Sequence, residues 1–199
     1  MIDVSTNAAS VSVRYTDAPK LVATTVVQTF RRIGAGLQRH AVREKLNGQV
    51  LERRTGTLAR ALFSQIWLDG KDAVLTFGAD KAKAKGAAIQ EYGGTIRPTH
   101  AQHLAIPLDA ARTAKGVARL SAREFIAHPE SLGFESTFVN KRRTAIMGVR
   151  GGEAEPVFAL KTSVTLPARS YLRSTVDDKR AWILAQLGGD VADALQGQG

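Results

Sequence analysis

The chain has 199 residues, of which 44% are hydrophobic and 23% are charged, so it can bury enough apolar surface to fold as one domain, and global disorder is excluded. The absence of cysteine excludes disulfides, zinc knuckles, iron–sulfur ligation and thiol nucleophiles. Twenty-eight Lys and Arg against 18 Asp and Glu give a formal charge of +10. A charge of this size indicates a partner that is nucleic acid or an acidic protein surface, and the alternative is that it serves only solubility.

The N-terminal part predicts a short strand followed by a long amphipathic helix. Alternation at Val11, Val13 and Tyr15 predicts the strand, and Asp17 ahead of Ala18-Pro19 predicts the N-cap of the helix. The helix has an apolar stripe at spacings of three and four: Val22, Val26, Phe30, Ile33, Leu37 and Ala41. The opposite side is basic, and is either solvated or faces an acidic partner: Arg31, Arg32, Arg39, Arg43 and Lys45. Asn47-Gly48 ends the helix.

A second helix, a strand and a short third helix are predicted after a polar loop. The second helix begins near Thr55 or Thr57, where a hydroxyl can accept free backbone N–H groups. Its apolar positions at helical spacing are Leu58, Leu62 and Ile66. Residues 73–77 have β character, and residues 87–92 predict one helical turn that a Gly-Gly pair ends.

Residues from about 101 to 133 predict an insertion into the domain. Most of this stretch mixes small, basic and polar residues without a clean period. Residues 104–108 look extended, and Ser121 with Glu124 predicts a capping box for a short helix. Structureless loops of this length are uncommon in compact domains, so we expect an ordered elaboration.

The C-terminal third predicts an antiparallel meander and a final helix. The strands cover residues 134–139, 145–149 and 157–166. In the last strand one face carries Phe158, Leu160, Thr162, Val164 and Leu166. Pro167 ends it, and Asp177-Asp178 is predicted in the first turn of the helix, where negative charge suits the dipole. Gly188-Gly189 predicts a bend or an early end, and residues 196–199 a flexible end.

These elements predict an α+β fold over residues 1–199, as a single domain with one core. Its sheet is largely antiparallel, built on the C-terminal meander, and packs against the long N-terminal helix and the C-terminal helix. No run approaches the ~20 apolar residues that cross a bilayer, and the N-terminus lacks a secretory signal pattern, so we expect no membrane contact.

The residues do not predict an enzyme. The chain has no GxxxxGK[ST] phosphate loop, no GxGxxG after a strand, no HExxH and no GxSxG. Its histidines are His40, His100, His103 and His128. His100 and His103 are the one suggestive pair, but no carboxylate lies close to them in sequence to complete a metal site. We therefore expect no catalytic residue, no metal and no cofactor, although an active site assembled from distant segments stays open.

Two basic clusters are candidates for partner contact. Arg53-Arg54 lies in the loop before the predicted second helix, and Lys141, Arg142 and Arg143 occupy a predicted hairpin tip. Arginine grips carboxylates or phosphates through paired N–H donors. Each cluster is equally well explained by solvated turn residues.

Three strings, in this order, resemble a known family. They are RRTGTLARALFSQI after the long helix, IQEYGGTI after a strand, and TSVTLPARSYLRSTVDDKRAWILAQL near the end of the chain. Together they resemble the tail-completion proteins of tailed bacteriophages, also called tail terminators, minor tail components or virion morphogenesis proteins. The likeness covers residues 18–95 and 157–195. The family usually has proline where this chain has Ser170.

The resemblance implies a structural virion protein that forms a ring at the head-proximal end of the tail. The ring is expected to be a hexamer. There it would end the tail tube and join the tail to the head connector, in a particle assembled in the bacterial cytoplasm. The expected partners are further copies of the chain, the tail-tube protein and the connector or stopper protein, with non-specific contact to packaged DNA.

The resemblance also assigns roles to three segments. Gln49, Arg53, Arg54 and Thr55 would contact a neighbouring subunit or the tail tube. Lys141, Arg142 and Arg143 would face the connector or DNA. The third segment would hold the corner between strand and helix, with the tyrosine ring buried and its hydroxyl hydrogen-bonded: Arg169, Tyr171 and Arg173. The alternatives are a head-completion protein of the neck and a sequence-independent DNA-binding protein.

Overall fold

The computed structural model describes residues 2–7, 10–15, 20–69 and 72–196, with side chains described for 24–68, 73–190 and 192–193. In chain order the elements are β1 (Ile2–Asn7), β2 (Ser10–Tyr15), α1 (Lys20–His40), a π-helical turn (Ala41–Lys45), α2 (Thr57–Ala61), β3 (Leu62–Asp69), β4 (Asp72–Ala79), α3 (Ala87–Tyr92), β5 (Gly94–Ile96), β6 (Leu104–Pro107), a 3-10 turn (Asp109–Ala111), α4 (Ala122–Ala127), a 3-10 turn (Pro129–Leu132), β7 (Ser136–Val139), β8 (Ala145–Arg150), β9 (Glu153–Lys161), β10 (Val164–Leu166) and α5 (Tyr171–Gln196).

The chain divides into two compact units. The first contains Met1–Gly93 and Pro167–Gly199, and the second contains Gly94–Leu166. The α+β class is confirmed, with antiparallel sheets in both units. The stretch 101–133, which the sequence marks as an insertion, lies within the second unit.

The first unit has a four-stranded antiparallel sheet in the order β1-β2-β4-β3, and α1 packs on β3 and β4. The predicted stripe of α1 faces the core. Its described members are at most 1% exposed: Val26, Phe30, Ile33, Leu37 and Ala41. Val22 and the predicted cap at Asp17 lie outside the described side chains. The stripe packs with Ala73, Leu75 and Phe77 of β4.

Helix α5 runs antiparallel to α1 and closes the same core. His40 contacts Asp178, a Cβ added to Gly36 would meet the ring of Trp182, and Arg32 bonds Asp190. Ile183 and Leu187 of α5 are buried against α1. The early end predicted at Gly188-Gly189 is wrong, because α5 stays helical through both glycines to Gln196. The end of the chain, 197–199, lies outside the described residues.

The predicted second helix is wrong beyond Ala61. Helix α2 is a single turn, and the chain enters β3 at Leu62, with Leu62 opposite Ala79 and Ile66 opposite Leu75. Apolar residues spaced by four satisfy a period of 3.6 and also a period of 2, so these positions fit a helix and a strand equally. Pairing with β4 decides between the two.

The second unit contains a sheet in the order β6-β9-β8-β7 and a separate pair formed by β5 and β10. The predicted meander is present as β7-β8-β9, and the capping box of Ser121 and Glu124 begins α4 as expected. The predicted strand 157–166 is wrong in its start and in its continuity. It begins at Glu153, and it is interrupted at 162–163 before β10 pairs with β5 and ends at Leu166 as predicted.

A register shift at Ile146/Met147 changes which residues of β9 are buried. Val157 and its neighbour Phe158 are 0% and 1% exposed, so the simple alternation predicted for this strand fails there. Glu155 lies in β9 and bonds Arg150.

The buried residues form separate clusters rather than the one core that the sequence led us to expect. In the second unit the ring of Phe125 lies 5.5 Å from that of Phe134, edge to face, and 5.7 Å from that of Phe158. Ala111, Ile146 and Val157 complete this cluster. It is distinct from the cluster between α1, β4 and α5.

Candidate functional site

The loop 49–55 is exposed at the predicted contact residues and anchored at both ends. Gln49 Nε2 donates to Glu44 Oε2 at 3.1 Å, and Arg60 Nη1 donates to the Thr55 carbonyl at 3.1 Å. Thr55 Oγ1 lies 2.8 Å from Thr57 Oγ1. Val50 and Leu51, between these anchors, pack on the core of the first unit. Arg53 and Arg54 are therefore exposed on a segment that is held in place.

The tip between β7 and β8 presents three exposed cations from a rigid turn. Asn140 Oδ1 accepts from Thr144 N at 2.8 Å and from Ala145 N at 3.2 Å, and Asn140 O accepts from Arg143 N at 2.8 Å. Arg143 has a φ of 52°, in the left-handed region. Among the described residues, Lys141, Arg142 and Arg143 have no ion-pair partner. The tip belongs to the second unit and the loop 49–55 to the first.

The corner before α5 is held by a residue that the sequence did not indicate. Glu91 is 4% exposed, and its two carboxylate oxygens accept from Leu172 N at 2.8 Å and Arg173 N at 3.0 Å. A carboxylate at this place satisfies free N–H groups and lies at the positive end of the helix dipole. Asp177 and Asp178, predicted for the first turn, lie in the second turn instead, because α5 begins at Tyr171.

Backbone contacts complete the corner. Arg169 N donates to Gln90 O at 2.8 Å and Ser170 N to Glu91 O at 3.0 Å, while the side chains of Arg169 and Arg173 are exposed. Ser170 has a φ of 46°. Proline, whose ring holds φ near −65°, cannot adopt that backbone.

The Tyr171 ring is fully buried, as expected, but its hydroxyl has no hydrogen-bond partner among the described residues. The prediction that this hydroxyl is hydrogen-bonded is therefore wrong for the part of the chain that the structure describes. Burial, followed by the charge of Glu91, raises the pKa of the Tyr171 phenol above its usual range, so the hydroxyl stays neutral.

One cluster of ionisable groups lies between α1 and α5, and sequence reasoning missed it. His40 Nε2 lies 3.0 Å and Lys45 Nζ 2.6 Å from the same oxygen, Asp178 Oδ2. His40 precedes the π-helical turn and Lys45 is its last residue, so this local irregularity separates the two residues whose side chains both reach α5. Hydrogen bonds from Lys45 and then His40 lower the pKa of the Asp178 carboxyl. The basic face predicted for this helix therefore loses Lys45 to an intramolecular contact.

Lowering the pH should remove the contribution that this cluster makes to the free energy of unfolding. Because the folded-state pKa of Asp178 is depressed, its stabilisation is present above the unfolded pKa of about 3.9 and is lost as the pH falls through the folded value. We expect Asp178→Asn to cost at most about 1 kcal/mol at pH 7, since the carboxylate is partly exposed, and less at pH 2.5, where a larger share of the carboxyl is protonated. Urea unfolding at both pH values measures the difference. Asp177→Asn is the control, and an equal loss at both pH values would contradict the assignment.

The remaining candidates show no catalytic arrangement. His128 Nδ1 lies 3.2 Å from Glu130 Oε1 on the surface, and His100 and His103 lie in an irregular segment. The described residues contain no group of three or more potential metal-binding side chains. Over the same ranges, no helix is long and apolar enough to span a membrane. Comparison with known proteins gives no further assignment, since no family model, no curated protein and no solved structure matches the chain.

A groove beside the strand β3 is the second feature that the sequence did not indicate. It lies in the first unit, between α1 and β3, and is lined by Val27, Arg31, Ala35, Gln38, Ser64, Gln65, Ile66 and Leu68. The two elements are joined there by a hydrogen bond from Gln38 Nε2 to Ser64 Oγ at 3.1 Å. Trp67 and Leu68, at the end of β3, are 56% and 61% exposed.

Proposed function

We propose that the chain is a structural virion protein that forms a ring at the head-proximal end of a phage tail, ends the tail tube and joins the tail to the head connector. The resemblance of three ordered strings to tail-completion proteins suggests this role. The observation that carries it is the tip 141–143, because three unpaired cations on a turn fixed by Asn140 are suited to docking an acidic surface.

The proposal gives each exposed segment a partner. The loop 49–55 contacts a neighbouring subunit or the tail tube, since its ends are anchored and Arg53 and Arg54 project from it. The tip 141–143 meets the connector, or DNA in the lumen. The corner at Glu91, Tyr171 and Arg173 is structural, because it fixes the start of α5. This role requires no cofactor and no bond-making step.

Removing the charge of the tip tests the proposal. We expect particles made with Arg142→Ser and Arg143→Ser to have tails of normal length but at least about tenfold fewer joined heads and tails, since one lost arginine contact is worth about 1.4 kcal/mol or more. Electron microscopy of wild-type, variant and chain-deficient particles counts the joined ones.

The control carries the same change of charge elsewhere in the second unit, at two exposed basic residues: Arg97→Ser and Lys161→Ser. Unchanged joining in the tip variant would remove the tip from the interface. Tails of normal length with normal joining in chain-deficient particles would remove the proposed function.

A sequence-independent DNA-binding protein is the second candidate, favoured by the formal charge of +10 and by the exposed cations of the tip. A DNA titration at two salt concentrations separates it from the first. For a protein that neutralises phosphates, affinity falls steeply with salt, whereas a docking protein binds duplex DNA weakly at both.

A further inference from the structure

Strand β3 forms an edge of its sheet without the usual protection. It pairs with β4 over eight residues in an unbroken register, and no strand lies on its other side among the described residues. The strand contains no proline, and its one charged residue is the last, Asp69. Edge strands in soluble proteins are normally blunted by charge, proline or a bulge, because free N–H and C=O groups recruit other strands.

The groove beside β3 borders the edge at which an added strand would pair. From α1 it is lined by Val27, Arg31 and Ala35, and from the strand by Ile66 and Leu68. Alternate side chains of a strand paired to β3 would enter this groove, while the others would lie beside Trp67 on the opposite face. Ala35 is exposed and small, which allows close approach.

We propose that β3 pairs with strand β1 of a second copy of this chain. The inference rests in part on the ring of the proposed function, because pairing unlike edges makes a head-to-tail contact that closes a ring when the rotation permits. It also rests on the sheet itself, which carries β3 at one edge and β1 at the other.

Two features of the sheet favour β1 as the occupant. The strands alternate in direction along β1-β2-β4-β3, so a copy placed in line brings its β1 antiparallel to β3. In the register of the sheet, Val4 lies opposite Val13, which lies opposite Ala73. In the same way, Thr6 lies opposite Val11, which lies opposite Leu75. Ala73 and Leu75 are buried with the residues of α1 and lie opposite Leu68 and Ile66 of β3, so the rows of the sheet that contain Val4 and Thr6 are also the rows that line the groove.

The absence of cysteine allows a direct test by cross-linking. Ser5→Cys places a thiol on β1, and Gln65→Cys places one on β3. We expect a short bismaleimide to join a mixture of the two single variants into a dimer, and to join the double variant into a ladder of larger species. Absence of cross-linking in the mixture, at high concentration and in assembled particles, overturns the proposal. A dimer from Gln65→Cys alone also overturns it, since it shows β3 pairing with itself.

A charged edge provides the second test. We expect Trp67→Lys with Leu68→Lys to weaken self-association at least about tenfold, because two cations and their water cannot be buried beside a partner strand. Light scattering over a concentration series measures it. Ile126→Lys, at another exposed apolar residue, is the control. Unchanged self-association of the β3 variant overturns the proposal.

The two proposals can fail separately. If rings form on tails but positions 5 and 65 do not cross-link, the proposed function is supported and the strand pairing is contradicted. A cross-linked ladder from the purified double variant, with particles joined normally when the chain is missing, would retain the pairing and reject the proposed function.

Discussion

Replacing Glu91 by alanine is expected to destabilise the first unit by about 1–3 kcal/mol. The substitution removes the cap of α5, so the N–H groups of Leu172 and Arg173 lose their acceptor, which costs about 1–3 kcal/mol in total. It also removes the negative charge that faces the N-terminal end of α5. Urea unfolding followed by far-UV circular dichroism measures the loss.

Two further variants separate the cap from a general effect of losing a carboxylate. Glu91→Gln keeps one oxygen acceptor, so we expect roughly half of the loss. Glu52→Ala removes an exposed carboxylate from the same unit, and the change should stay within about 0.5 kcal/mol. If Glu91→Ala unfolds at the same urea concentration as the wild type, the carboxylate does not hold the start of α5.

Replacing Phe125 by alanine is expected to cost about 3–5 kcal/mol in the second unit. The ring is fully buried and contacts the rings of Phe134 and Phe158, so truncation loses its transfer free energy and leaves a cavity. Hydrogen exchange of the amides in β7, β8 and β9 measures the loss where it occurs. We expect their protection to fall by two orders of magnitude or more, at about 1.4 kcal/mol for each factor of ten.

The next residue along α4 is the matched control. Ile126 is 51% exposed, so Ile126→Ala should change stability by no more than about 0.5 kcal/mol. Protection in β7–β9 that survives Phe125→Ala would mean that the cluster around Phe125 does not stabilise this sheet.

Local patterns predicted the elements whose side chains interact within one or two turns. The stripe from Val26 to Ala41 marked the buried face of α1, and the reciprocal bonds of Ser121 and Glu124 marked the start of α4. The short helix α3 ends at Gly93, where φ is 70°, as the Gly-Gly pair indicated. Each signal is carried by neighbours in sequence, so no knowledge of the fold is needed to interpret it.

Predictions failed where a distant segment decided the outcome. Leu62 and Ile66 have a spacing that suits a helix, and pairing with β4 makes them a strand. The helix α5 begins at Tyr171 because Glu91, 81 residues away from Leu172, caps it. The shift at Ile146/Met147 buries both Val157 and Phe158, which no alternation in β9 itself indicates.

The candidate sites divide in the same way. The sequence by itself determined the supply of reactive groups, the cluster of three cations at 141–143 and the apolar face of α1, because these depend on residue identity and short-range spacing. Only the tertiary structure decided that Lys45 bonds Asp178 and that β3 is an edge beside a groove. Those features arise from contacts between segments far apart in the chain, and the free energy of such contacts leaves no periodic pattern in either segment alone.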